Sequence, residues 1–317
     1  MLVRVLYHDH CFDGAASAAF FSRFLAGRIE PGAEFAYTGM AHTADQIFDD
    51  SLFDGDINAI VDFKYSPNPK LTWWFDHHQS AFLSPADAER FRTEKHPTKF
   101  FDPSYRSCTK YIAELTREKF GYEADDLAEL VKWADIIDGA QYESAEVAVS
   151  VSAPATKLVL VIEAAKGSDI VQRIIRLMQR MKLEEIVERP EIQTLFQPLY
   201  QRHLRSIDVI GRRARSERGV VWFDLVGDDL DGYNKFIPYY LHPEAIYTVS
   251  VSEQSFRTKV SVGSNPWAKG ELKHNLASIC ERYGGGGHAK VGAISFPKGA
   301  IEPARQAAKE IVAELQS

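Results

Sequence analysis

The chain has 317 residues, is 45% hydrophobic and 26% charged, and carries a formal net charge of −7. That length leaves room for two domains, the ordinary composition argues against a disordered chain, and the acidic balance argues against a protein that coats nucleic acid with a basic surface. Cys11, Cys108 and Cys280 are odd in number and far apart, so neither a disulfide framework nor a CxxC zinc site is expected. No apolar run approaches the ~18 residues of a membrane span, and MLVRVLYHDH lacks the apolar core of a signal peptide, so no membrane and a cytoplasmic location are expected.

Residues 2–7 read as a strand and 14–26 as a helix rich in alanine and aromatics. Residues 34–37, 58–62 and 71–75 read as further strands, bounded by Gly, Pro and Asn. Such alternation predicts an α/β domain with a parallel sheet, whose ligands bind at the carboxyl ends of its strands. The pattern from 107 to about 134 is helical. Residues 168–183 form an amphipathic helix, with Ile170, Ile174, Leu177, Met178 and Met181 set between Arg173, Arg176 and Arg180. Its methionines are read as packing. Pro190 and Pro198 bracket a short segment, and arginine-rich 199–216 reads as a helical connection. Beyond Gly219, strands at 220–226, 245–251, 257–262 and 291–296 and helices at 271–283 and 301–315 make a smaller α+β unit. The expected division is 1–185 for the first domain, 186–217 for the connector and 218–317 for the second domain.

The chemistry-bearing residues fall at strand ends. Asp76-His77-His78 closes the apolar strand of WWFDHHQS, and imidazole with carboxylate suits Mn, Fe, Co or Zn better than Ca or Mg. YHDHCFDGAAS places His8, Asp9, His10, Cys11 and Asp13 in a strand-to-helix turn, where Asp13 could also be a helix cap. Asp62 follows a third apolar run, and WADIIDGAQY offers Asp135 and Asp138 on or after a helix. Four such turns in one domain are enough carboxylates and imidazoles for a pair of metals that share one carboxylate. Near the C-terminus, glycines 284–287 of ERYGGGGHAKVGAISF let backbone N–H groups approach a phosphate or carboxylate closely, with His288 and Lys290 beside them.

These residues resemble the DHH phosphoesterase family, which includes RecJ-like exonucleases and nano-RNases. HDHCFDGAAS, AIVDF, FDHHQS and WADIID are similar to its four motifs, and GGGGHAKVGA to its DHH-associated substrate-binding domain, so the resemblance covers nearly the whole chain. It implies His8, Asp13, Asp62, His77 and Asp135 as metal ligands, with Asp62 bridging two ions and Asp138 the alternative to Asp135. Asp76 would support the site, as a ligand or from behind one, and His78 would contact the scissile phosphate. Gly285, Gly286, Gly287 and His288 would hold the substrate phosphate or terminal nucleotide. Two departures stand out. Cys11 occupies the place of a usual acidic ligand, and thiolate is competent for softer metals; a shortened His8–Asp13 spacing brings in His10 or Asp9 as substitutes. Gly263 stands where the family often has arginine, leaving Ser264, Asn265 or Lys273 for that task.

The implied activity is hydrolysis of short single-stranded oligonucleotides or nucleotide-derived phosphate esters by metal-activated water. Two Mn2+ ions are expected, with Mg2+ or Co2+ as substitutes, and a homodimer is left open. A pyrophosphatase is disfavoured because no dense Lys/Arg site marks the C-terminal domain. The rival reading is a catalytically weak nucleotide-binding protein on the same fold, for which Cys11 is the chief argument.

Overall fold

A computed structural model describes residues 1–41, 48–94, 96–228, 230, 232–269 and 272–317. The chain divides into two compact units, Met1–Tyr142 with Ser152–Leu199, and Glu143–Val151 with Tyr200–Ser317.

The elements of the first stretch are β1 (Leu2–His8), α1 (Phe12–Phe24), β2 (Glu34–Met40), β3 (Ile57–Val61), β4 (Leu71–Asp76), α2 (Pro85–Thr93), β5 (Lys99–Phe101), α3 (Cys108–Phe120) and α4 (Ala128–Asp138). All five strands are parallel, in the order β2-β1-β3-β4-β5. Both faces of the sheet are covered, which is why the strands read as apolar runs rather than alternating ones. Trp73 and Phe75 face the aromatic rings of Phe21, Phe24 and Phe120. Trp74, one residue between them, points the other way and packs with Leu6, Ile60, Phe63 and Tyr65. Its indole N–H donates to the Phe63 carbonyl at 2.8 Å, so the large ring is buried without an orphaned donor. Each fully buried aliphatic side chain here, such as Ile60, contributes about 1.5–3 kcal/mol.

Next come α5 (Ala145–Ser150), α6 (Pro154–Glu163), α7 (Asp169–Met178), α8 (Leu183–Val187) and α9 (Pro190–Arg213). Most of the stretch expected as a helical connector, 186–217, is α9, which continues through Pro198, and the boundary between the two compact units runs between Leu199 and Tyr200 within that helix. Glu143–Val151, which carries α5, groups with the C-terminal unit, a sequence-distant association that hydrophobic periodicity does not encode.

The second unit then holds β6 (Arg215–Glu217), β7 (Val220–Asp224), α10 (Ile237–Leu241), β8 (Tyr247–Glu253), β9 (Arg257–Ser264), α11 (Leu276–Glu281), β10 (Gly286–His288), β11 (Val291–Pro297) and α12 (Ile301–Leu315). The strands form a mixed sheet, β10-β11-β9-β8-β7-β6, in which only the β7–β8 pair is parallel. Alternate residues Tyr247, Val249, Val251, Val260, Val262 and Ile294 form one core with Ala304, Ala308 and Ile311 of α12. The helix expected over 271–283 is shorter, starting at Leu276 behind the Asn275 cap; its first expected residue lies outside the described residues. Among the described residues no helix is long and apolar enough to cross a membrane.

Candidate metal centre

The strand order reverses beside β1, so the crevice between the carboxyl ends of β1 and β3 is where a parallel sheet offers a site. His8 closes β1 and Asp62 follows β3 directly. Asp62 takes a left-handed backbone (φ 56°), uncommon outside glycine and concentrated at functional sites. Its N–H donates to the Phe75 carbonyl at 2.9 Å, tying it to β4. Helix α1 starts so close to β1 that a Cβ on Gly14 would stand 2.1 Å from the His8 carbonyl oxygen. Only glycine permits that approach, and it brings Cys11 and Asp13 to the same sheet end.

Asp13 is fully buried and caps a helix other than its own. Its carboxylate accepts from Cys108 N at 2.6 Å and from Thr109 N and Oγ1 at 3.0 and 2.6 Å. Ser107 Oγ takes the next amide, that of Lys110. The first-turn donors of α3, which have no partners within the helix, are thus used to hold a carboxylate in place.

His77 Nδ1 contacts the Tyr105 carbonyl at 3.0 Å, which assigns the proton to that nitrogen and leaves Nε2 as a lone-pair donor. Asp76 Oδ1 accepts from His77 N at 2.8 Å and His78 N at 3.2 Å, and lies 2.7 Å from His78 Nδ1. Asp76 therefore orients both histidines from behind.

Three groups of ligand-type atoms result: His8, Cys11 and Asp62; Asp62, His77 and His78; and Asp13, His77 and Asp138. Asp62 turns Oδ2 toward His8 Nδ1 (3.4 Å) and Oδ1 toward His77 Nε2 (3.3 Å), while His77 Nε2 is 3.5 Å from Asp138 Oδ2. Two ligands about 2.1 Å from one ion stand roughly 3.0–3.4 Å apart at octahedral or tetrahedral angles, so these separations are those of donors around cations. Both Asp62 oxygens and His77 Nε2 are buried without a hydrogen bond among the described residues. Orphaning such atoms is costly, and bound cations would satisfy them. The N, O and S donor set suits a divalent transition ion, so these residues fit the expected metal.

The local field shows the same crowding. Burial opposes ionisation of Asp62, but His77, His8 and His78 outweigh it and hold its carboxyl below the ordinary range. Burial likewise opposes a charged His77, yet Asp62, Asp13 and Asp138 push it up to about 10. Burial and the Asp62 charge push Asp138 up to about 6, and burial with Asp62 and Asp138 raises Asp13. Burial and the same three carboxylates push the Cys11 thiol up.

The expected residues are thus brought together except at a few positions. Asp135 lies outside the three groups, with Oδ2 3.1 Å from Lys110 Nζ, and Asp138, one turn on, takes the place beside His77. Asp9 accepts from His10 N, Tyr7 Oη and Ser168 Oγ, while His10 Nδ1 is 3.4 Å from the Ile162 carbonyl; neither joins a ligand group. The holders of Asp13 on α3 escaped the sequence reading, although Ser107-Cys108-Thr109 at a helix start carries a capping signal.

In the second unit Gly286 to His288 is an edge strand, not a free loop, paired with Val291 to Ala293. Gly284 N and Gly285 N donate to the end of α11, and a Cβ on Gly285 would meet the Ala293 carbonyl oxygen at 2.3 Å. His288 is exposed. Ser264 Oγ donates to the Lys290 carbonyl, and buried Asn265 donates to the Ala245 carbonyl and accepts from Trp267 N, so both side chains serve the unit's own loops.

No protein-family model and no curated protein matches the chain. Solved structures do. The pGpG-specific phosphodiesterase PggH from Vibrio cholerae is 19% identical, with TM-score 0.72 and 99% of each chain covered. An exopolyphosphatase-related protein from Bacteroides fragilis is 15% identical, with TM-score 0.53 and coverage of 100% of this chain and 94% of that one. RecJ from Thermus thermophilus, in complex with Mn2+, is 13% identical with TM-score 0.52; 99% of this chain covers 52% of RecJ. These neighbours are DHH-family proteins. The five-stranded parallel sheet and the second, mixed sheet are the DHH-type two-domain fold.

Proposed function

We propose that the protein is a divalent-metal-dependent phosphoesterase acting on short oligonucleotides or nucleotide-derived phosphate esters. The observation that carries this reading is Asp62, whose two oxygens face His8 and His77 without a hydrogen bond among the described residues.

His8, Cys11 and Asp62 would hold one cation, and Asp13, Asp62, His77 and Asp138 the other. Bound there, the pair would supply an activated water and offset negative charge on a phosphate. Asp76 fixes the Nδ1 side of His78, so His78 presents Nε2 as a donor to a phosphate oxygen. Burial opposes its charging, but Asp76 and Asp62 hold it above the ordinary imidazole range, which favours its use as a donor to charge developing on phosphorus oxygens. In the second unit, Gly286, Gly287 and exposed His288 would receive the substrate's terminal phosphate, since Gly285 N already donates to the Cys280 carbonyl. Ser264 and Asn265, committed to loop carbonyls, are poorer candidates than the sequence suggests.

The full-length likeness to a pGpG-specific phosphodiesterase makes linear dinucleotides the first substrates to try, with short RNAs, short DNAs, cyclic dinucleotides and 3′-phosphoadenosine phosphate beside them. The expected result is hydrolysis supported by Mn2+, with Mg2+ or Co2+ as substitutes, and lost in EDTA and in Asp62→Asn. Turnover unchanged by EDTA and by Asp62→Asn would overturn the reading.

A further inference from the structure

The arginines of α7 and of the turn that ends it have no part in the metal centre. Arg173 and Arg176 stand about one turn apart on the helix, and Arg180 lies in the turn just past its last residue, Met178. In an acidic chain such a group is ordinarily a solvated face. Here it borders a cleft of about 340 Å³ lined by Arg23, Phe35, Tyr37, Arg176, Gln179 and Arg180, a size typical of small-ligand sites.

The cleft is built from within. The Arg176 guanidinium lies 4.9 Å from the Tyr37 ring centroid and donates to the Phe35 carbonyl at 3.1 Å. Tyr37 is buried, donates to Ser22 Oγ at 2.9 Å and accepts from Gln179 Nε2 at 2.8 Å. Arg23 donates to the Gln179 carbonyl and pairs with Asp126. Arg180 is exposed and makes no ion pair among the described residues. Phe35 is half-buried, its ring nearly parallel to that of Tyr37 at 6.5 Å. Guanidiniums match phosphate geometry, and an aromatic face accepts a base of any sequence.

We infer that this cleft binds a nucleoside phosphate, with the phosphate on Arg176 and Arg180 and the base against Phe35. The cleft is separate from the metal centre. Met40 of β2 stands opposite His8, whereas Phe35 and Tyr37 stand opposite Val3 and Val5, which puts them about 10–17 Å back along the strands at ~3.3 Å per residue. The inference stands independently of the phosphoesterase reading, because the cleft shares no residue with the ligand groups.

Calorimetric titration of the full chain with adenosine 5′-monophosphate, in excess EDTA to silence the metal centre, tests it. Binding should persist in EDTA and in Asp62→Asn, and weaken at least tenfold in Arg180→Glu and in Arg176→Glu. Phe35→Ala should weaken the nucleotide while leaving inorganic phosphate unchanged. Arg180→Glu keeps the test valid if Arg176→Glu unfolds, since the exposed Arg180 side chain makes no ion pair among the described residues. Absence of EDTA-resistant binding, binding indifferent to the Arg180 change, or equal affinity for phosphate and nucleotide would overturn the inference.

Discussion

Asp76 Oδ1 lies 2.7 Å from His78 Nδ1 and also accepts the backbone amides of His77 and His78. One buried carboxylate oxygen therefore fixes the turn and the tautomer of the histidine proposed to meet the phosphate. Asp76→Ala should lower kcat by about 10- to 100-fold, the usual effect of removing a group that orients a site, while the bound metal content stays near that of the parent. Asp76→Asn, which keeps an acceptor for the same donors, should lose less. Steady-state kinetics with metal analysis of the purified variants checks both. Loss of metal in step with activity would instead make Asp76 a ligand.

The two carboxylates of α4 have different neighbours. Asp138 approaches His77 Nε2 at 3.5 Å, whereas Asp135 pairs with Lys110. Asp138→Asn should lower metal occupancy and abolish most activity. Asp135→Asn should remove only a partly exposed ion pair, worth about 0–1 kcal/mol, with a modest change in rate. Metal stoichiometry by mass spectrometry ranks the two, and the reverse order would restore Asp135 as the ligand.

Metal-free protein should lose stability as pH rises from about 6 to 10. His77 is raised to about 10, so its contribution is complete below the free imidazole value of about 6.5 and disappears as pH climbs through the folded value. Asp138 is raised to about 6, so ionising it in the folded chain costs stability that the unfolded chain does not lose, and the loss accumulates above about 4 and is complete beyond 6. Asp13, also raised, acts in the same direction. Asp62, held low, works oppositely but only in acid. Bound cations supply positive charge among these carboxylates and should flatten the slope. Thermal melts across pH, with EDTA and with Mn2+, test this; parallel curves would contradict it.

How far the site was legible in the sequence follows from where each residue's neighbours lie. His8, Asp62 and His77 follow apolar strands, so period and strand-end logic place them at one sheet edge without any knowledge of contacts. Asp135 and Asp138 sit three residues apart on one helix face, and periodicity cannot choose between them; the contact that sets them apart, Asp135 with Lys110, comes from a residue 25 positions away. The clamp on Asp13 is formed by amides 95 and 96 residues distant, beyond any local pattern. The glycine run reads as an anion-binding loop because glycine lets backbone N–H groups approach a ligand, whereas two of its four glycines, Gly286 and Gly287, lie in a strand paired closely with β11. Asn265 reads as a candidate for the phosphate contact, yet its side chain donates to a buried loop carbonyl.

Cys11 gives the sharpest remaining test, because a thiol and a carboxylate differ in what they must release to bind a cation. Burial with Asp62, Asp138 and Asp13 keeps the Cys11 proton on in the metal-free chain, and His77 also carries one near pH 7.5. A ligand must be deprotonated. Metal uptake at that pH should therefore release one proton more if Cys11 coordinates than if it does not, beyond whatever His77 and the raised Asp13 release in either case. Calorimetry in two buffers of different ionisation enthalpy counts them. Cys11→Ser should lower the count by one and weaken the His8–Asp62 half of the site, most for the softer ions, because the hydroxyl keeps its proton and thiolate prefers Co2+ or Zn2+ to Mg2+. An unchanged count would leave Cys11 as a half-buried neighbour of the metals rather than a donor to them.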